Sequence, residues 1–260
     1  MRTKSDAGSR VGALLTYLLL LTSNFALPGS AQAADLRVLA SNGIKEAIEA
    51  LKPQLEKASG TTLSIDFSTA ATMRDRIEKG EAFDVVMLTD EVMAALAKAG
   101  KIAPMQTSLA RVGIGVAYRK GAAKPDVGTP AAMKQALLNA KAVAFTGNGA
   151  SRPAIDRMFE RLGIVKEMQS RTRLVPPGAS PPAVAKGDAD LAVTLISEIL
   201  PVPGVDLAGP LPADLQQYTG FSAAASPKAA HDQHAAALIA FLRSPAAAPV
   251  YRAKGMQVTQ

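Results

Sequence analysis

Short apolar runs alternate with stretches whose apolar residues recur every three or four positions, and this rhythm fills the chain beyond residue 34. Leu36–Ala40 is a β-prone run, and Ile44, Ile48, Leu51 and Leu55 follow at helical spacing. Pro53 lies inside that helix and is expected to kink or restart it; Gly60 is expected to close it. Residues 62–67 alternate as a strand does, Met73 and Ile77 mark a helix ended by Gly80, and Asp84–Leu88 reads as a buried strand. Thr89 is placed to cap a helix over Asp90–Ala99, with Gly100 beyond it.

The second half repeats the pattern. Val112–Tyr118, Ala142–Phe145, Arg173–Val175, Leu191–Ile196 and Phe221–Ala225 read as strands. Thr129-Pro130 opens one helix with a capping residue and an N1 proline. Ser151 caps another, whose apolar face is Ile155, Met158, Phe159 and Leu162, with Gly163 after it. Ala235–Leu242 is the last predicted helix. Strands alternating with helices give an α/β class with a mainly parallel sheet, and the length leaves room for more than one sheet.

In such folds ligands sit at the carboxyl ends of strands, where helix N-termini present backbone N–H groups. The loops at those positions are small and polar: Ser41-Asn42-Gly43, Ser68-Thr69-Ala70, Thr89-Asp90, residues 146–152 from Thr146 to Arg152, and Ser197-Glu198. Any one of them reads as an N-cap. Five at one edge read better as a shared anion site.

Residues 1–33 change the cellular setting. A basic leader, the apolar run Val11–Leu21, the break at Pro28-Gly29 and the small-x-small pattern Ala31-Gln32-Ala33 predict a signal peptide cut after Ala33 and export to the periplasm. The run is shorter than the roughly 20 residues a membrane span needs. Cleavage removes three basic residues and one acidic residue, so the net charge of +7 falls to +5. The remaining basic residues are scattered and aromatics make up 4% of the chain, which argues against nucleic acid and suits a small anion. The chain has no cysteine, which excludes disulfides, a lipoprotein anchor, thiolate metal sites and a cysteine nucleophile. His231 and His234 have no evident third metal ligand and read as surface residues, and Asp188 and Asp190 read as turn residues. No Ser-His-Asp order and no nucleotide-type glycine loop is present, and neither a metal nor a cofactor is implied.

From Asp35 to Met256 the sequence resembles the periplasmic molybdate-binding proteins of ABC importers. The marks are the strand into Ser41-Asn42-Gly43-Ile44, then Phe67-Ser68-Thr69-Ala70, Gly80-Glu81-Ala82-Phe83-Asp84-Val85-Val86, and Phe241-Leu242-Arg243-Ser244-Pro245-Ala246-Ala247 with Lys254-Gly255-Met256. The resemblance implies the two-lobed type II periplasmic binding protein fold, with two crossover strands and the ligand in the interlobe cleft. It places lobe one at 34–114 plus 228–260 and lobe two at 115–227. It implies a monomer that delivers its anion to a membrane permease, with Ser41 and Ser68 at the serine positions that hold an oxyanion. Asn42, Thr69, Thr89, Ser151, Arg152 and Ser197 complete the expected ligand-binding set.

The sequence departs from the molybdate pattern at Ala40-Ser41-Asn42-Gly43, at a missing late cleft tyrosine, and at Arg111 and Arg152. Molybdate sites of that family use neutral donors, whereas arginine grips carboxylates bidentately. Some relatives of the fold are aconitate isomerases, so an enzyme acting on a tricarboxylate is the alternative. In that reading Arg74, Arg111 and Arg152 would clamp carboxylates and Glu198 would be the general base, if burial raises its pKa. Two or more arginines facing the cleft would indicate a carboxylate ligand.

Overall fold

The structure, a computed structural model, describes residues 35–229 and 232–258; the leader, its cleavage site and His231 lie outside the described residues. In chain order the elements are β1 (Leu36–Ser41), α1 (Lys45–Ser59), β2 (Leu63–Ser68), α2 (Ala70–Glu78), β3 (Val85–Thr89), α3 (Asp90–Lys98), β4 (Thr107–Arg119), α4 (Pro130–Asn139), β5 (Val143–Thr146), α5 (Arg152–Leu162), α6 (Val165–Gln169), β6 (Thr172–Val175), α7 (Ser180–Lys186), β7 (Leu191–Leu195), α8 (Ile196–Ile199), β8 (Val205–Pro210), β9 (Tyr218–Ala225), α9 (Gln233–Leu242), α10 (Ala248–Ala253) and β10 (Gln257–Val258).

The strands order as β2-β1-β3-β9-β4-β7-β5-β6, with β8 and β10 also paired to β4. β1 pairs parallel with β2 and β3, and β5 pairs parallel with β6 and β7. β4 and β9 run antiparallel to their neighbours, so the sheet is mixed rather than mainly parallel. The first part of β4, through Gly113, pairs with β9; its second part, from Ile114, pairs with β7 and β8. One strand thus carries the chain from the first half of the sheet into the second. The chain returns between Pro210 and Tyr218. By pairing, β9 stands with β3 in the first half, although 115–227 was expected to form one lobe.

Two differences from the sequence pattern have local causes. α1 runs unbroken through Pro53. That proline is exposed, so the carbonyl it leaves without a helical partner faces water, while buried Leu51 and Leu55 hold the helix on either side. β4 is a 13-residue strand, and its first part was missed because Thr107–Arg111 mixes polar positions with buried Leu109 and Ala110.

One core extends through both halves, from Leu36 and Ile48 to Phe145, Phe159 and Met168. A second, on the other face of the first half, joins Leu39, Met73, Val86, Leu88, Met93 and Leu96 under α2 and α3. Several quoted motif residues prove to be structural. Glu81 accepts from Arg37 (2.5 Å) and from Arg76, and Asp84 accepts from the Arg37 N–H at 2.8 Å. The hydrogen bond from Arg76 holds the Glu81 carboxyl below its ordinary range. Tyr251 is buried and donates to the Leu242 carbonyl at 3.1 Å. His234 is half-buried rather than a free surface residue: its Nδ1 lies 2.6 Å from the Ser59 carbonyl oxygen, tying α9 to the end of α1. Asp190 accepts from the Lys141 and Ala142 N–H groups at 2.6 and 3.3 Å, which fixes the entry to β5.

Candidate functional site

Parallel pairing brings the carboxyl ends of β1, β2 and β3 into a row. Ser41 and Ser68 are register partners at that edge, and Thr89 ends β3 opposite Phe221. Ser41 is buried and Ser68 half-buried. From the second half, the loops after β5 and β7 reach the first half through two hydrogen bonds, and the loop after β6 comes close to it. Ser197 Oγ donates to the Gly43 carbonyl at 2.6 Å, and Asn148 Nδ2 donates to Thr72 Oγ1 at 3.3 Å. A Cβ on Gly178 would lie 3.7 Å from Asn42 Nδ2.

Beside these contacts lies a cleft cavity of about 490 Å³, walled by both halves and by the returning segment 217–220. The N-terminal residues of α2, α3 and α5 all contribute to its wall, so three helix dipoles present their positive ends to it. Arg74, Arg152 and Arg157 line it, against two carboxylates, Asp90 and Glu91. Arg74 donates to Asp75 at 2.8 Å, and that hydrogen bond, helped by the charges of Glu78 and Glu91, holds it above the usual arginine value. Arg152 Nε donates to both oxygens of Asp156 at 2.8 and 2.9 Å, and its guanidinium sits 5.2 Å from the Phe145 ring centroid. Arg157 donates to Gln217 of the returning segment. The wall is therefore electropositive, with guanidinium groups from both halves.

The expected site residues divide in this arrangement. Thr89 and Arg152 line the cavity. Thr89 stands at the N-cap of α3, yet its side chain makes no cap hydrogen bond. Ser41, Asn42, Ser68, Thr69, Ser151 and Ser197 are not among the lining residues. Ser41 and Ser68 pair along the adjoining strand edge, while Asn42 faces Gly178. Thr69 caps α2 by accepting from the Thr72 N–H, and Ser197 is engaged with Gly43. Ser151 is buried at the N-cap of α5 and makes no cap hydrogen bond. Arg111 is also outside the lining: it donates to Gln257 and packs 4.9 Å from the Tyr218 ring centroid. Glu198 is absent from the lining as well. Its carboxylate accepts from the Thr194 hydroxyl, and burial pushes its pKa up against that bond and one from the Leu195 backbone.

Arg157, Asp90 as a wall residue, and the segment from Gln217 to Gly220 were not anticipated. Arg157 carries no signal in a single sequence, because exposed arginines on helices are common. Among the described residues there is no cluster of three metal-binding side chains, and no helix is long and apolar enough to cross a membrane.

Comparison with known proteins agrees with this architecture. Residues 36–257 match the family described as bacterial extracellular solute-binding protein. An aconitate isomerase from a Pseudomonas species is 31% identical over 256 residues, covering 95% of this chain and 97% of that protein. The periplasmic molybdate-binding protein of Azotobacter vinelandii superimposes with a TM-score of 0.73 at 19% identity, over 86% of this chain and all of that one. PEB3, a Campylobacter jejuni protein, was solved with L-phospholactate bound and superimposes at 0.66, with 19% identity over 86% and 99% of the two chains. The two joined sheet halves are the lobes of the type II periplasmic binding protein fold, and the chain belongs to the bacterial extracellular solute-binding protein family.

Proposed function

We propose that the protein works in the periplasm, after cleavage behind Ala33, and that its cleft takes up a small organic polycarboxylate of the aconitate or citrate kind. The observation that carries this reading is the set of three arginines, Arg74, Arg152 and Arg157, on the wall of one cavity. A guanidinium offers a planar fork of N–H donors that matches a carboxylate. A bare tetrahedral oxyanion held by neutral donors, as the molybdate resemblance implies, has no use for three such forks. The cavity, at about 490 Å³, also has the size of a site for a small organic molecule. Ser41 and Ser68, adjacent at the strand edge, would receive a further acidic group of the same ligand. L-phospholactate, the ligand of PEB3, joins a phosphate to a carboxylate and is an acid of this general type.

A second reading goes further: the protein interconverts cis- and trans-aconitate. The full-length match to an aconitate isomerase supports it. Glu198 is not used in this reading, because it does not line the cavity that holds the arginines. Without turnover, the monomeric protein delivers its ligand to a membrane permease, and the two lobes, hinged at β4 and the returning segment, close on it.

The test is a thermal-shift panel of molybdate, tungstate, sulfate, phosphate, citrate, and cis- and trans-aconitate. A ligand at a hundred times its Kd stabilises the folded form by about 2.7 kcal/mol, or roughly 5–10 °C for a chain this size. Stabilisation by tricarboxylates is expected; stabilisation by metal oxyanions alone would overturn the proposal. Incubation with either aconitate isomer then separates the two readings: a mixture of isomers means an enzyme, and unchanged ligand means a binding protein.

A further inference from the structure

Resting on the isomerase reading, we infer that Asp90 is the proton-accepting residue of the cleft. Asp90 is the first residue of α3 and lines the cavity that holds the three arginines. Its carboxylate is fixed from two sides. Ser222, buried on the neighbouring β9, donates its hydroxyl to Oδ1 at 2.5 Å. On the other side stands Gly220, also of β9 and also in the cavity wall; a Cβ there would collide with Asp90 Oδ2. The missing side chain makes room for this carboxylate, which explains a glycine inside a strand of the cleft. Glu91, the other carboxylate in the wall, is exposed on the first turn of α3 just as Asp90 is, but among the described residues no hydroxyl donates to it. A general base has to be oriented before it has to be basic, and Asp90 is the carboxylate that the fold orients.

The chemistry balances without an added reagent. The Asp90 carboxylate takes a proton from the methylene carbon of aconitate, so one C–H bond breaks and one O–H bond forms. The electron pair left on carbon shifts the double bond along the three-carbon unit, spreading negative charge onto the carboxylates held by Arg74, Arg152 and Arg157. The carboxyl of Asp90, exposed and therefore able to exchange its proton with solvent, then delivers a proton to the former alkene carbon, which moves the double bond and regenerates the carboxylate. Nothing is oxidised or reduced.

The experiment follows loss of the aconitate methylene and vinyl proton signals in D2O by NMR, with the melting temperature in trans-aconitate measured on the same samples. The wild-type protein should exchange these protons for deuterium. D90N keeps an oxygen acceptor for Ser222; it should slow exchange by about 100-fold or more while trans-aconitate still raises its melting temperature. S222A should lower the exchange rate at saturating ligand more than it alters the ligand concentration needed for half-saturation. Equal exchange by D90N and wild type, or loss of exchange in E91Q but not in D90N, would overturn the role of Asp90 and leave the isomerase reading intact. A wild-type protein that is stabilised by trans-aconitate but exchanges no proton would overturn Asp90 and the isomerase reading together, and leave carboxylate binding standing. Neither stabilisation nor exchange would overturn the carboxylate reading as well.

Discussion

Replacing Arg152 with alanine should separate ligand recognition from folding. In the fold, Arg152 makes an i,i+4 pair with Asp156 and a cation–π contact with Phe145. Its side chain is 32% exposed and that of Asp156 is 45% exposed. Such a helix pair contributes about 0.3–0.5 kcal/mol, and a partly exposed cation–π contact about 0.5–1 kcal/mol. The variant should therefore lose about 1 kcal/mol, or about 2–4 °C in melting temperature. The effect on binding should be larger. The Asp156 pair uses Nε and leaves the two terminal nitrogens to grip a carboxylate. A hydrogen bond to a charged group contributes about 1.5–3 kcal/mol, so affinity for trans-aconitate should fall by roughly 10- to 150-fold. Arg152→Lys keeps the charge without the fork and should lie between wild type and alanine. Calorimetric titration gives the affinities and differential scanning calorimetry the stabilities. Unchanged affinity in Arg152→Ala, or a ligand-free melting temperature lowered by far more than 4 °C, would refute the reasoning and make Arg152 a structural residue.

Ser41→Ala should weaken carboxylate binding by roughly 10- to 100-fold in the same titration, because it removes a donor at the strand edge; equal affinity would place the second acidic group elsewhere. Gly43→Ala should destabilise by about 1–3 kcal/mol, or roughly 2–12 °C. The new methyl would lie 2.5 Å from Leu195 Cδ1 and 2.6 Å from Phe221 Cζ, both buried, and an unchanged melting temperature would show that these groups do not pack at Gly43. Glu198→Gln tests a pH dependence. Burial raises the Glu198 pKa, so the folded state holds its proton more tightly than the unfolded state. The stability this group adds is complete below the unfolded pKa and is lost as pH rises through the raised one. The melting temperature of Glu198→Gln relative to wild type should therefore climb as pH increases, and parallel curves would show that the carboxyl is not buried.

The strands nearest the site were legible because each is an apolar run closed by small polar residues. Thr89 and Arg152 could be placed at the cleft for the same reason: strand ends and helix starts are marked by caps, prolines and glycines. What the sequence hid depends on contacts between distant segments. Ser197 looks like a ligand residue by position, but its hydroxyl meets the carbonyl of Gly43, 154 residues away in the chain. β8 was missed because Val205–Pro210 mixes apolar residues with Asp206, Gly209 and Pro210, and its pairing with β4 comes from the fold rather than from its own pattern. Arg157 enters the site only because the returning segment brings Gln217 to it.

The placement of the arginines also explains how one scaffold can serve different anions. Helix N-termini at strand ends attract any anion, whatever its shape. Selectivity must come from side chains that add charge without adding repulsion when the cleft is open. Here each cavity arginine has a protein partner: Arg74 has Asp75 and Arg152 has Asp156, both outside the cavity wall, and Arg157 has Gln217 within it. These partners restrict the guanidinium groups, so less rotamer freedom is lost when a ligand binds. The two aspartates also offset part of the positive charge, and in the proposed reading the field left over favours a ligand with several carboxylates spaced to meet several forks. A compact oxyanion can meet only one or two of them. In the isomerase reading, Asp90 on the same wall would strengthen that discrimination, because a dense small anion close to it is repelled while an extended acid can keep its carboxylates on the arginines and turn a C–H bond toward the aspartate.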